Sequence, residues 1–387
     1  MPKLPIYLDN NATTPTDPRV LDVMLPYFTE KFGNAASRHH AFGWTAEDAV
    51  DLAREQAASL IGASPEELIF TSGATESVNM ALKGVFEAYR SKGNHIITLA
   101  TEHSCVLDTC RYIERSGGKV TYLPVQPDGL LNIEMLRAAI TAETILISVM
   151  YANNETGVIQ PMEDIGRIAG EKSIIFHTDA TQGAGKIPLN VDTGGIGLLS
   201  FSAHKLYGPK GAGALFVRRK NPRVRLTPLI EGGGHEKGLR SGTLNVPGIV
   251  GFGKACEVCL TQMEKDGQKL SLLRDKLESG LLEIPGTALN GNTHNRLPHV
   301  SNIRFAGLKG DLLMSAMPDL AISSGSACTS ASPEPSHVLT AMGLSEEEAR
   351  SSLRFSLGRF TEETDIDFAV NICRNAIESL RDSTKHS

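Results

Sequence analysis

Apolar positions along the body of the chain alternate between two patterns. The short runs Glu67-Leu-Ile-Phe-Thr, His95-Ile-Ile-Thr-Leu-Ala, Ile145-Leu-Ile-Ser-Val-Met and Ser173-Ile-Ile-Phe-His are apolar nearly throughout. Such runs predict strands covered on both faces, as in a parallel sheet. Longer stretches between them have helical spacing. Within residues 45–61, Val50, Ala53, Ala57, Leu60 and Ile61 share one face, and Asp48, three residues after Thr45, predicts a capping box at the helix start. The alternation from about residue 45 to 259 predicts an α/β fold, with a mostly parallel sheet flanked by helices.

Beyond residue 259 the texture changes to a charged helix, then Val300-Ser-Asn-Ile-Arg-Phe, then a Gly/Ser-rich stretch around Cys328, then a final helix. In that helix Ile366, Ala369, Cys373, Ile377 and Leu380 form one stripe, with Glu362 and Glu363 in the first turn. This predicts a large domain over residues 15–259 and a smaller α+β domain built from residues 1–14 and 260–387, the latter carrying the cysteine loop. Each apolar run of the large domain ends just before an unusual polar cluster. Open α/β sheets bind ligands beyond the carboxyl ends of their strands, so a site is expected there.

Composition narrows the function. A net charge of -6, with lysine and arginine scattered, argues against a nucleic-acid partner, which requires a basic face. Polar residues come too early at the N-terminus for a secretory segment, and no run approaches the roughly 20 apolar residues of a membrane span. A soluble cytoplasmic protein is expected, with no membrane partner. The 6 cysteines of so long a chain then read as thiols rather than a disulfide framework.

The polar clusters suggest the chemistry. Lys205 follows Ser202 and His204 and precedes a Gly-Pro turn. A lysine in an enclosed polar pocket can lose its proton and attack a carbonyl. Taken alone, Lys205 reads more readily as a surface lysine, and Lys210 fits a solvated turn. Pyridoxal phosphate chemistry requires a carboxylate at the pyridinium nitrogen. Asp179 in His177-Thr-Asp-Ala-Thr-Gln can supply it, with Gln182 within reach of the ring hydroxyl; the alternative for Asp179 is an ordinary N-cap. In Phe70-Thr-Ser-Gly-Ala-Thr-Glu, Gly73 permits close backbone approach. Ala74 and Thr75 would then offer N–H groups to a phosphate at a capped helix start, although most such starts bind nothing. His103 could stack on a flat ring or serve only in structure, and Asn153-Asn-Glu-Thr-Gly could be a site loop or an Asx turn. Cys328 lies among small residues that predict a mobile loop with an accessible thiol. The other cysteines sit in apparent helices and read as structural; the Cys256/Cys259 spacing is better explained by helix packing than by metal binding, and no metal is expected.

Taken together, these segments resemble the cysteine desulfurases of the IscS/NifS type, in the class V aminotransferase-like branch of fold-type I pyridoxal-phosphate enzymes. The resemblance runs over nearly the whole chain. It rests on Tyr7-Leu-Asp-Asn-Asn-Ala-Thr-Thr-Pro, Thr71-Ser-Gly-Ala-Thr-Glu-Ser, Thr101-Glu-His, Asn153-Asn-Glu-Thr-Gly, His177-Thr-Asp-Ala-Thr-Gln, Ser202-Ala-His-Lys, Gly232-Gly-Gly-His-Glu-Lys-Gly-Leu-Arg-Ser-Gly-Thr and Ser324-Gly-Ser-Ala-Cys-Thr-Ser. It implies that Lys205 forms the Schiff base, Asp179 meets the pyridinium nitrogen, His103 stacks on the ring and Gln182 meets its hydroxyl. Thr75, Ser202 and His204 would bind the phosphate, joined by Thr243 from the partner of a homodimer. Asn154 and Arg354 would hold the substrate carboxylate, for which a planar guanidinium is suited.

On this resemblance the expected reaction converts L-cysteine to L-alanine, leaving a persulfide on Cys328 for a sulfur-acceptor protein such as an iron-sulfur scaffold. Ala35 replaces a proline common in the family, and the chain lacks the longer tail by which some relatives dock a scaffold. An aminotransferase or selenocysteine lyase of the same superfamily is the alternative, distinguished by the need for Cys328. A non-catalytic assembly subunit is disfavoured by the full set of Lys205, Asp179, His103 and Cys328.

Overall fold

A seven-stranded sheet organises the larger part of the molecule, whose computed structural model describes residues 3–325 and 334–385. The elements around it are α1 (Ala41–Ile61), β1 (Leu68–Thr71), α2 (Ala74–Tyr89), β2 (His95–Leu99), α3 (Ser104–Arg115), β3 (Lys119–Leu123), β4 (Thr144–Ser148), α4 (Met162–Glu171), β5 (Ile175–Asp179), β6 (Leu198–Ser202) and β7 (Gly213–Val217). The strand order is β1-β7-β6-β5-β4-β2-β3. Alternate residues serve opposite faces: Leu68 and Phe70 join the core that contains α1, whereas Ile69 joins the core beneath α2 and α3. Burial on both faces explains why these strands read as continuous apolar runs.

The 67–71 run was expected to be a parallel strand, but β1 pairs antiparallel with β7, which is itself antiparallel to β6. Two reversals leave β1 pointing the same way as the parallel strands. Its carboxyl end, and the glycine turn that follows, therefore lie on the same edge as the ends of β2, β4, β5 and β6. The strand predicted to end at His177 continues to Asp179, because His177 is accommodated inside the sheet, between Ser148 Oγ at 2.8 Å and Ser200 Oγ at 3.0 Å. The helix predicted over 45–61 begins at Ala41 and is capped by His40 Nδ1, which accepts the Gly43 N–H at 3.2 Å. Phe42 and Trp44 face outward there, so the apolar stripe starts later than the helix does.

The chain continues into α5 (Val246–Leu282), β8 (Thr287–Leu289), β9 (Val300–Phe305), α6 (His337–Ala341), β10 (Ser352–Ser356) and α7 (Glu363–Lys385). Strands β10, β9 and β8 form an antiparallel sheet. The long α5 serves two cores: Ile249, Phe252 and Cys256 pack with the large sheet, and Leu270, Leu277 and Leu281 pack with β9, β10 and α7. Residues 3–17 return across this junction. Thr14 N–H donates to the His204 carbonyl and Asp17 N–H to the Tyr207 carbonyl, both at 2.9 Å. Among the described residues, no helix is long and apolar enough to cross a membrane.

Candidate active site

The carboxyl ends of the central strands open onto a cavity of about 600 Å³. Ala74, Thr75, His103, Asn154, Asp179, Gln182, Ser202, His204, Lys205 and Arg354 all line it. Two expected residues stand apart. Thr243 is exposed on the loop before α5 and does not line this cavity, and Cys328 lies outside the described residues.

At one end is the start of α2. Gly73 adopts φ 152° and ψ -178°, a conformation essentially reserved for glycine. No side chain caps the helix there, in contrast to the capped start expected from the sequence. Its first N–H groups are thus available to an anion. A carbon added at Gly73 would stand 3.6 Å from Ser202 Oγ, so the missing side chain leaves room beside that hydroxyl. His204 Nδ1 and Thr13 Oγ1 lie 3.1 Å apart. Burial, reinforced by Lys205 and Lys210, holds the His204 imidazole down at about 4, so it is neutral near pH 7. Glu76 in the same helical turn is pinned away from an incoming phosphate: Arg240 Nε donates to it at 2.8 Å and Ser72 N–H at 2.7 Å.

Asp179 ends β5 inside the cavity, with Oδ1 accepting the Thr181 N–H at 3.0 Å and the Thr181 hydroxyl. The turn-capping role and the cavity position therefore coexist. His103 likewise does both jobs: it begins α3, its Nδ1 accepting the Cys105 N–H at 3.2 Å, and its ring lines the cavity. Burial lowers its pKa, with Asp179 opposing and Lys205 adding to the effect. With Nδ1 accepting, the neutral ring carries its proton on Nε2. Lys205 ends the short helical turn Ala203–Lys205 that follows β6, and its ammonium donates to the carbonyls of Asn11 and of Ala12, the latter at 2.6 Å.

Arg354 is 1% exposed. Its Nη1 donates to the Asn154 carbonyl at 2.9 Å and its Nη2 to Asp9 Oδ1 at 2.6 Å. Each terminal nitrogen carries a second N–H, enough to receive a carboxylate without releasing either partner. Asn153 forms the Asx turn that the sequence allowed, Oδ1 accepting from the N–H groups of Glu155 at 2.8 Å and Thr156 at 3.0 Å. That turn presents Asn154 to the cavity.

Asn11, Ala12 and Thr13 also line the cavity, although no role for them was expected from the sequence. The dense polar run Asp9-Asn-Asn-Ala-Thr-Thr was the available signal. Asn11 is engaged on every side: its carbonyl receives Gln182 Nε2 at 3.0 Å as well as Lys205, and its amide joins the Asn154 carbonyl at 3.0 Å to His299 Nε2 at 2.9 Å. Cys105 lines the wall, and Lys210 is exposed in its turn at the rim. The five cysteines read as structural are all buried; burial pushes the Cys110 and Cys373 thiols up to about 12, which makes them poor nucleophiles. Among the described residues, no cluster of potential ligands could hold a metal ion.

The aminotransferase class-V family model matches residues 6–368. The cysteine desulfurase IscS of Rickettsia typhi is 56% identical over 379 residues, covering 98% of this chain and 92% of its own length. The chain belongs to the cysteine desulfurases of the class-V aminotransferase family. Its Rickettsia bellii relative of the same name is 55% identical over 380 residues. Among solved structures, a NifS-like protein superposes with a TM-score of 0.89 at 38% identity, covering 97% of this chain and 99% of its own. A second, described as SspA in complex with cysteine, superposes with a TM-score of 0.81 at 40% identity over 92% of this chain and 99% of its own. Enzymes of this family depend on pyridoxal phosphate. The cavity suits that cofactor chemically, with uncapped helix N–H groups and hydroxyls for a dianionic phosphate, a buried carboxylate for a cationic ring nitrogen, and a lysine amine for the aldehyde.

Proposed function

We propose that this cysteine desulfurase holds pyridoxal phosphate through Lys205, takes sulfur from L-cysteine onto Cys328, and releases L-alanine. The observation that supports this most is the convergence of Lys205, Asp179 and Arg354 on one cavity. The α2 N–H groups of Ala74 and Thr75, with the Thr75 and Ser202 hydroxyls and His204, would hold the phosphate. Asp179, Gln182 and His103 would hold the ring. Bound there, the cofactor supplies an electron sink for the charge left when the substrate α-proton departs.

The chain's own groups do the rest. Arg354 and Asn154 orient the substrate carboxylate. The Lys205 amine takes the α-proton and returns a proton to carbon as the Cβ–S bond breaks. The Cys328 thiolate attacks the substrate sulfur, so that one S–S bond forms, the C–S bonding pair stays with carbon, and L-cysteine plus thiol becomes L-alanine plus persulfide. Supporting tests are direct. The purified protein should absorb in the visible and Lys205→Ala should not, and cysteine should yield alanine; a 2-oxo acid product would instead favour an aminotransferase.

Phe28, Phe32, Phe42 and Trp44 are each more than half exposed, and the Phe32 and Phe42 rings lie 5.2 Å apart. Exposed aromatic surface of this kind suits a protein interface. With Thr243 exposed outside its own cavity, it supports a homodimer in which Thr243 serves the partner's cofactor phosphate. Light scattering should give twice the chain mass. The persulfide would pass to an acceptor protein of iron-sulfur cluster assembly in the cytoplasm, a setting compatible with five buried cysteines outside any disulfide.

A further inference from the structure

Glu155 lies beside Asn154 and is 1% exposed, yet the chemistry above gives its carboxylate no part. Its backbone is fixed on both sides: its N–H donates to Asn153 Oδ1 at 2.8 Å, and its carbonyl accepts from Asn302 Nδ2 at 3.2 Å. Asn302 stands opposite Arg354 in the β9–β10 ladder. The carboxylate is thus built into the frame that carries Asn154 and Arg354.

Ser336, distant from Glu155 in sequence, meets this carboxylate, and Gly325 lies near it without bonding to it. Ser336 Oγ donates to Glu155 Oε2 at 2.5 Å, a short hydrogen bond. A side-chain carbon at Gly325 would stand 3.6 Å from the same Oε2. Ser336 begins α6, where its hydroxyl accepts the Leu339 N–H at 3.2 Å, and the next residue, His337, donates from Nε2 to the Glu102 carbonyl at 2.9 Å. Gly325 follows Ser323, whose N–H and carbonyl pair with the backbone of Arg354. Cys328 lies between Gly325 and Ser336 in sequence.

We infer that Glu155 is a positioning residue, its buried carboxylate holding Ser336, which follows Cys328 in sequence, relative to Asn154 and Arg354. The inference rests on Cys328 as the sulfur acceptor. Glu155 touches neither substrate nor cofactor in this role. It sets where the chain following Cys328 is anchored. Removing it should slow sulfur transfer while leaving cysteine binding and cofactor loading intact.

The test uses the cofactor-loaded enzyme with Glu155→Ala, Ser336→Ala and their combination. Each single change should lower the rate of persulfide formation about ten-fold or more, the scale of small misplacements in an active site. KM for cysteine should stay within about two-fold, and the absorbance change on adding cysteine should be unaltered. The double variant should be no slower than the slower single one, since both remove one contact. Ser336→Thr, which keeps the hydroxyl, should restore the rate. Deuterium uptake should rise in peptides covering 334–340 in the slow variants, a readout independent of turnover. Wild-type rates in both single variants, additive losses, or an altered absorbance change with cysteine would overturn the inference. Cys328→Ser, assayed in parallel, separates the two ideas: persulfide formed without that thiol would refute the proposed acceptor, while the deuterium uptake would still report on Glu155.

Discussion

Asn11 and Lys205, 194 residues apart, meet at the cavity, where the lysine ammonium donates to the asparagine main-chain carbonyl. The Asn11 side chain makes that carbonyl's position dependable, bridging the Asn154 carbonyl and His299 Nε2. Asn11→Ala leaves the buried His299 Nε2 without its partner, while the Asn154 carbonyl keeps only Arg354. It should cost about 1–3 kcal/mol of stability and lower the fraction of protein carrying the visible cofactor band. Thermal melts and absorbance of the same preparation check both effects.

Arg354 serves Asn154, Asp9 and the proposed substrate carboxylate from one planar group. Lysine presents a point charge and cannot satisfy three acceptors in that geometry. Arg354→Lys should lower kcat/KM for cysteine by about 2 kcal/mol, or roughly 30-fold, with the cofactor band retained. Steady-state kinetics at varied cysteine concentration provides the check.

Glu102 is completely buried beside His103. Burial lifts its pKa well above the ordinary carboxyl value, against the pull of the Met150 N–H, which donates to Oε1 at 2.7 Å. Oε2 has no hydrogen-bond partner among the described residues, as suits a neutral acid rather than a carboxylate. Glu102→Gln keeps shape, neutrality and the acceptor, so activity and melting temperature should stay close to wild type. Glu102→Ala should lower the melting temperature. A large loss in the glutamine variant would mean that the charged form is required.

Burial holds the His177 imidazole at about 3, against about 6.5 in an unfolded chain. Above about pH 6.5 both states are neutral there and the site has no pH dependence. As pH falls below that value the unfolded chain takes up a proton that the native chain refuses. The stability associated with neutral His177 is therefore lost progressively down to about pH 3. His177→Gln should flatten the fall by about 1.4 kcal/mol per pH unit between about pH 6 and pH 4, measured by denaturant unfolding. An unchanged slope would contradict a native neutral histidine.

The polar clusters were legible because each interrupts an apolar strand at its carboxyl end. Asp179, His103 and Asn154 could thus be tied to one edge before any geometry was known. Residues 9–13 had no periodicity to reveal them, since they reach the cavity through main-chain bonds to distant residues. The reversed pairing of β1 was hidden because an edge strand covered on both faces has the same apolar run as a central parallel one. Strand β6 was obscured by Ser200, whose hydroxyl only makes sense once His177 is placed beside it. The early start of α1 was masked by Phe42 and Trp44, large apolar residues on a face that the monomer leaves open.

The central claim is that sulfur leaves cysteine by way of Cys328. The most direct measurement is a single turnover with cysteine, followed by alkylation under non-reducing conditions and mass analysis of the peptide containing Cys328. One added sulfur atom on Cys328, formed in step with alanine and absent from Cys328→Ser, is the predicted result. Alanine formed at the wild-type rate with Cys328 unmodified, or by the serine variant, would contradict it.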